Sequence, residues 1–264
     1  MRFQDSFDPA AQEHSHRNAY WLGKAAELAY LDNPRFEAAV GDWGVKCRHV
    51  SVKDTEAHVA GGKALMIVAF RGTETKPGDI ATDARFKRTR WAGPGQVHEG
   101  FNLALDRAWK DTLAAIGAVA AAGQTLWFTG HSLGGALAVL AAMRWTVESR
   151  KPAVAGVYTI GQPRVGDAEF SDAFDRALGK RTFRYINNRD PVPRVPIVGY
   201  RDVGKAFRFD DRGRLESRSG FLFRTLTEVF TSETKILAAL KGAVGDHAAA
   251  KYVENLKRTA EGAS

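Results

Sequence analysis

Cysteine occurs once in the 264 residues, at Cys47, so an intrachain disulfide is excluded and a reducing compartment is the natural expectation. No stretch approaches the roughly eighteen apolar residues of a membrane span. The opening segment, MRFQDSFDPAAQEHSHR, is polar and mixed in charge, unlike a signal peptide. A cytoplasmic location is the reading that follows. Also missing are zinc-ligand spacings, RNA-binding aromatic motifs, a long basic tail, internal repeats and low-complexity tracts. Neither a metal nor another cofactor is expected, and nucleic acid is not expected as a partner, although the net charge is +8.

What is present is an ordinary globular composition, 44% apolar and 26% charged, long enough for one large core. Residues 19–32 carry helical spacing and stop at Asn33-Pro34. EAHVA (56–60) and KALMIVAF (63–70) flank Gly61-Gly62 and read as a hairpin whose second strand is buried on both faces. Residues 101–122 are helical, 124–129 a strand, 133–149 a helix, 154–160 a strand, 168–178 an amphipathic helix and 182–187 a strand. That alternation predicts an α/β fold with a mostly parallel sheet and helices on both faces. KAFRFDDRGRL (205–215) reads as a small hairpin at the sheet edge, and 220–244 return to helical patterning. No linker divides the chain, so 1–264 is expected to form a single domain.

The chemistry centres on GHSLG, Gly130 to Gly134, between a buried strand and a helix. A serine on a sharp strand-to-helix turn is held in strained geometry with its hydroxyl presented above the sheet, and side chains two residues either side would collide. Gly130 and Gly134 remove that collision. Ser132 is therefore the candidate nucleophile, and the N–H of Leu133, at the positive end of the next helix, a candidate oxyanion donor.

Such a serine needs a histidine base oriented by a carboxylate, in the chain order serine, acid, histidine. Of the seven histidines, only His247 lies beyond the serine by more than one residue. His131 adjoins Ser132 and is read as packing against the turn. The acid should follow a strand end. Asp190 fits best, directly after RTFRYINNR and stiffened by Pro191 and Pro193; Asp167, Asp202 and Asp246 are the alternatives. Asp167 stands at a helix start, where capping is the simpler role. A second oxyanion donor should come from VAFRGTE (68–74), where Thr73 offers an N–H and a hydroxyl and Gly72 allows close approach.

Residues 74–97, ETKPGDIATDARFKRTRWAGPGQV, lack periodicity and carry glycine, proline and many charges, which suggests a surface excursion of the lid kind. Within it Arg85, Lys87, Arg88 and Arg90 flank Phe86 and Trp91. Two readings stand: an anionic lipid surface met by cations and rings, or a solvated basic loop whose aromatics tuck into the body.

Taken together, AFRGTE, VHEGF (97–101), GHSLGGALA, YTIGQPRVGD (158–167), NNRDPVPRVP (187–196) and DHAAAKYVENL (246–256) closely resemble the class 3 lipase family over about residues 18–256. The resemblance implies an α/β-hydrolase fold, Ser132, Asp190 and His247 as triad, Thr73 and Leu133 as oxyanion donors, and a lid at 74–97. It also implies hydrolysis of lipid esters at an interface, as a triacylglycerol lipase or esterase. Phospholipase A1-like or short-chain carboxylesterase activity is the near alternative, and a non-catalytic lipid-surface binding protein the distant one. Two features depart from the family's pattern. The lid commonly begins with Asp-Trp where this chain has Asp79-Ile80, and secreted fungal members carry disulfides and a leader.

Overall fold

The computed structural model describes residues 1–73, 87–216 and 244–262. The helices are α1 (Phe3–Ser6), α2 (His16–Leu28), α3 (Asn33–Ala39), α4 (Glu99–Val119), α5 (Leu133–Val147), α6 (Ala168–Leu178), α7 (Val244–His247) and α8 (Ala249–Gly262). The strands are β1 (Lys46–Val52), β2 (Thr55–Gly61), β3 (Leu65–Phe70), β4 (Arg88–Arg90), β5 (Gln96–His98), β6 (Thr125–His131), β7 (Val154–Ile160), β8 (Thr182–Asn187) and β9 (Lys205–Phe209). Among the described residues the main sheet runs β1-β2-β3-β6-β7-β8-β9. β1 to β3 form an antiparallel meander, and β3, β6, β7, β8 and β9 are parallel. The mostly parallel sheet flanked by helices is the expected architecture, and no described helix is long and apolar enough to cross a membrane.

The sequence pattern explains the central strands. LMIVAF in β3 is buried at every position, as a parallel strand covered on both faces must be. Two apolar layers result. One joins the sheet to α4, α5 and α6 through residues such as Phe70, Phe128, Leu137 and Phe174. The other joins the opposite face to α1, α2 and α8 through Trp21, Leu22, Trp127, Tyr185 and Leu256. Each fully buried large side chain contributes about 1.5–3 kcal/mol relative to exposure. α5 is apolar on nearly its whole circumference, with Gly134 to Met143 all buried, so its N-terminus is held from every side.

Three local readings change. β1 lies where the sequence pattern assigns no strand: only Cys47 and Val50 are buried, because an edge strand packs one face weakly. Asn33-Pro34 does not end the preceding helix but opens α3, where Asp32 caps the N–H of Arg35 and the proline sits in a first turn that needs no donor. α4 ends at Val119 rather than 122, and Gly123, at φ 80°, makes the turn into β6. The edge hairpin consists of β9, pairing parallel with β8, and a return joined by Phe209 and Leu215. Of the expected helical stretch 220–244, residues 220–243 lie outside the described residues, as do residues 74–86 of the 74–97 segment.

Two histidines are built into the apolar layers as neutral rings. His14 is packed among Phe183, Phe207 and Tyr185, with Nε2 2.6 Å from the Tyr185 hydroxyl. His58 is stacked between Phe36 and His49. Burial, aided by His16 and Lys205 for His14 and by His49 for His58, lowers each to about 4 from the ordinary 6.5. The unfolded chain takes up these protons below 6.5 and the native chain does so only near 4, so stability present above 6.5 is lost as pH falls through that window. We therefore expect the melting temperature to fall between those pH values. In the His14→Phe, His58→Phe double variant it should fall less steeply; an identical slope would show that these rings do not carry the effect.

Candidate active site

The register of the parallel strands gathers the site. Phe70 of β3 pairs with Gly130 of β6, His131 with Ile160 of β7, and Ile160 with Tyr185 of β8. The chain therefore leaves four neighbouring strands at one edge, where loops can converge. Residues 71–73, the turn at Ser132, Gly161 and the loop to Asp190 all leave from that edge.

At the end of β6, Ser132 adopts φ 54° and ψ −128°, a strained conformation for a residue with a side chain, and serves as N-cap of α5. Its N–H donates to the Ile160 carbonyl at 3.1 Å. The glycines are needed at their positions. A Cβ on Gly130 would lie 2.2 Å from the Gly134 carbonyl group, and one on Gly134 would lie 2.2 Å from the Phe70 carbonyl oxygen. The turn thus packs backbone on backbone, against both its own helix and the end of β3.

His247, at the end of the short α7, bridges Ser132 and Asp190: Nε2 is 2.9 Å from Oγ, and Nδ1 is 2.8 Å from Oδ2 of Asp190. All three side chains are buried, Asp190 completely. The Asp190 carboxylate accepts two further hydrogen bonds, from the Tyr252 hydroxyl to Oδ2 at 2.6 Å and from the Val192 N–H to Oδ1 at 2.9 Å. Tyr252 in turn accepts from the Asn187 N–H at 2.9 Å. These partners satisfy a carboxylate that would otherwise be costly to enclose. Gly161, at φ 62°, lies against the pair; a Cβ there would sit 3.0 Å from the His247 ring and 3.2 Å from Asp190.

The other carboxylates considered for the acid are engaged elsewhere. Asp167 caps α6 through Phe170 N–H and also accepts from Gln96 N–H. Asp202 pairs with Arg164 and Arg184; burial alone would raise it, but the arginines outweigh that and hold it below the usual carboxylate range. Asp246 accepts from Asn188 Nδ2 and the Arg189 N–H, while Asn187 Nδ2 donates to its backbone carbonyl, so it ties the loop bearing Asp190 to the segment bearing His247.

Around the serine, Leu133 begins α5, where first-turn N–H groups point out of the helix. Thr73 lies just beyond β3. Its Oγ1 is shielded from solvent and has no hydrogen-bond partner among the described residues, an arrangement suited to a group that receives a ligand oxygen. The structure thus brings Ser132, His247 and Asp190 into one hydrogen-bonded line, with Leu133 and Thr73 on the two strand ends beside it.

Sequence reasoning did not single out Tyr252, Asn187 or Tyr30. Tyr252 stands five residues after His247 within DHAAAKYVENL, and a buried tyrosine at that distance needs a polar partner, which is the signal available. In the basic segment, Trp91 turns inward, edge-on to Phe170 with its N–H on the Pro94 carbonyl. Lys87 pairs with Glu99, and Arg88 donates to the Gly199 carbonyl and lies over Tyr200. Arg90 is exposed, while Arg85 and Phe86 lie outside the described residues.

The close packing at the turn has a measurable consequence. Gly134→Ala should lower the melting temperature sharply, because the displaced atoms are backbone. Gly117→Ala, in the exposed interior of α4 with nothing within 4 Å, should leave it unchanged or raise it, by about 0.5–1 kcal/mol of stability. Equal melting temperatures for the two variants would show that the turn relaxes easily.

The chain is similar to known proteins in sequence and in fold. Residues 67–200 match the profile of the Lipase (class 3) family. A Caenorhabditis elegans lipase is 34% identical over 132 residues, covering 49% of this chain and 37% of the relative. A secreted mono- and diacylglycerol lipase of Fusarium solani is 38% identical over 124 residues, covering 45% and 35%. A rice phospholipase A1 is 38% identical over 87 residues, covering 33% and 22%. The chain thus spans about a third or less of the length of these curated relatives. Among solved structures, lipase II from Rhizopus niveus superposes with a TM-score of 0.62 at 25% identity, over 73% of this chain and 80% of that one. The Rhizomucor miehei lipase propeptide complex has a TM-score of 0.61 at 24% identity, covering 75% and 67%, a likeness of fold. With the profile spanning half its residues and the sheet, turn and strand order in place, this chain belongs to the class 3 lipase family.

Proposed function

We propose that the protein is a serine-dependent carboxylic ester hydrolase acting on lipid esters. The observation that carries this reading is the line Ser132–His247–Asp190, with hydrogen bonds of 2.9 and 2.8 Å, built on a strained turn at the head of a buried helix. In this reading Ser132 Oγ attacks the ester carbonyl while His247 Nε2 takes its proton, and Asp190 holds the imidazole in the tautomer that leaves Nε2 bare. The tetrahedral oxyanion is received by the Leu133 and Thr73 N–H groups, with the Thr73 hydroxyl, which has no partner among the described residues, as a third donor. Collapse returns the proton to the leaving alcohol. Water then repeats the sequence on the acyl-enzyme and releases the acid.

Acylglycerols are the substrate class we favour, in line with the Fusarium relative's name; the rice relatives make phospholipase A1-like activity the near alternative. We place a lid at 74–97 within a single 1–264 domain. A cytoplasmic setting is supported by the lone Cys47, which is buried with its thiol pushed up to about 11 chiefly by burial, although the Fusarium relative is named as secreted.

Variants of the three residues test the chemistry. Ser132→Ala should leave the protein folded and remove turnover by on the order of a millionfold, and Asp190→Asn should cost on the order of ten-thousandfold. Asp167→Asn should retain activity, since asparagine still caps a helix. A folded Ser132→Ala protein that keeps most of its p-nitrophenyl ester hydrolysis would refute the assignment, and loss confined to Asp167→Asn would move the acid.

An anionic lipid surface is a second proposal, favoured by one feature: Arg88 ties the basic strand β4 to a loop whose Val198 is 75% exposed, so cations and an apolar tip stand side by side. Each basic residue near such a surface adds roughly 1 kcal/mol, fading with salt. Replacing Arg85, Lys87, Arg88 and Arg90 by glutamine should weaken hydrolysis of anionic emulsions strongly at low salt and leave a short soluble ester unaffected. Arg90→Gln alone, which disturbs no described contact, should show a smaller effect of the same kind. Equal loss on both substrates would assign the segment a folding role.

A further inference from the structure

We infer that His131, the residue between Gly130 and Ser132, is a positioning residue for His247: its Nε2–H holds the backbone carbonyl of His247 and so sets where the imidazole stands between Ser132 and Asp190. The inference rests on the reading of Ser132, His247 and Asp190 as the reacting line. His247 ends a helix of only four residues, which has little stability of its own. Its ring must nevertheless serve an acceptor and a donor at once, at 2.9 and 2.8 Å, and misplacement of about 1 Å can cost on the order of a hundredfold in rate. Something outside the helix must hold it.

His131 Nε2 lies 2.7 Å from the His247 carbonyl oxygen. A carbonyl can only accept, so Nε2 carries the proton. The other ring nitrogen, Nδ1, lies 2.8 Å from the Tyr30 hydroxyl, which therefore donates to it. The ring is fully enclosed, and burial, reinforced by the neighbouring His247, pushes His131 well below the ordinary histidine range, so it stays neutral with this one tautomer. Tyr30, just past α2, thereby selects the proton position on His131, and His131 transmits it to His247. The same group touches the loop of the proposed oxyanion donor. A Cβ on Gly72 would fall 2.2 Å from the Tyr30 hydroxyl oxygen and 2.6 Å from the His131 carbonyl oxygen. One contact set thus spans the base, the serine turn and the Thr73 loop, on residues that neither bind the ester nor exchange protons with it.

The test compares His131→Phe, His131→Gln and Tyr30→Phe with the unaltered protein, using a soluble p-nitrophenyl ester and counting active sites with a serine-directed phosphonate. A purely structural role would lower the number of active sites and leave kcat per site intact. The positioning role predicts that His131→Phe lowers kcat per titrated site by on the order of tenfold to a hundredfold with KM within about twofold. Glutamine, which restores an N–H donor near the Nε2 position, should recover most of the loss. Tyr30→Phe deletes a single oxygen and frees the ring to take the other tautomer; it should give an intermediate loss and carries the test if phenylalanine at 131 prevents folding. The downfield proton resonance of His247 Nδ1 should shift or broaden in the same order. Phosphonate labelling of Ser132 in the unaltered protein reports on the triad by itself. With that serine labelled, unchanged kcat per site in His131→Phe, or in Tyr30→Phe should the former not fold, would overturn the positioning role alone, as would glutamine performing no better than phenylalanine.

Discussion

Backbone packed on backbone at the serine turn is the constraint on which the rest depends. Ser132 can occupy its positive-φ conformation only because the preceding strand, the following helix and the end of β3 close in around it, at distances that leave no room for a side chain on Gly130 or Gly134. Strain of this sort persists only where the surroundings over-determine it. Here the surroundings are a helix apolar on almost every face and a strand buried at every residue. The apolar core therefore does more than stabilise the chain: it holds the serine hydroxyl where the polar residues can reach it.

Those polar residues form a buried network whose members account for one another. Asp190 is enclosed entirely yet receives three hydrogen bonds, and two of its donors, Tyr252 and Val192, are anchored by elements other than the one carrying His247. Inside a low-dielectric site such a network is strong when complete and costly when broken. Asp246 shows the same economy. Its carboxylate clasps the turn that presents Asp190 while the next residue is the histidine, so the acid and the base are fixed relative to each other before either meets the serine.

The basic segment turns its aromatic and apolar residues inward, Trp91 against Phe170 and Val97 into the core, and keeps its charges at the surface. β4 and β5 make a two-stranded ribbon of three residues each, with Lys87 and Arg88 anchored through an ion pair and a backbone carbonyl at the surface. Exposed ion pairs contribute little to stability, typically under about 1 kcal/mol.

The alternation of buried strands and helices, the boundaries of β7, β8 and α6, the serine between its glycines and the single histidine far enough downstream were all legible in the sequence, because each rests on local periodicity or on chain order. Other features were not. β1 escaped because an edge strand with two buried residues has no alternating pattern to read, and Asn33-Pro34 is compatible with either end of a helix until its neighbours are placed. Tyr252, Asn187, Tyr30 and the hydrogen bonds of His131 belong to this second group as well. Their long-range partners lie from 59 to 116 residues away along the chain, and only parallel strands ending in register bring them together. The sequence by itself determined which residues have the chemistry, the order in which they occur and which carboxylate best follows a strand end, Asp190; tertiary structure alone decided how that carboxylate is enclosed and which groups hold it and the histidine, because those partners come from segments far apart in the chain.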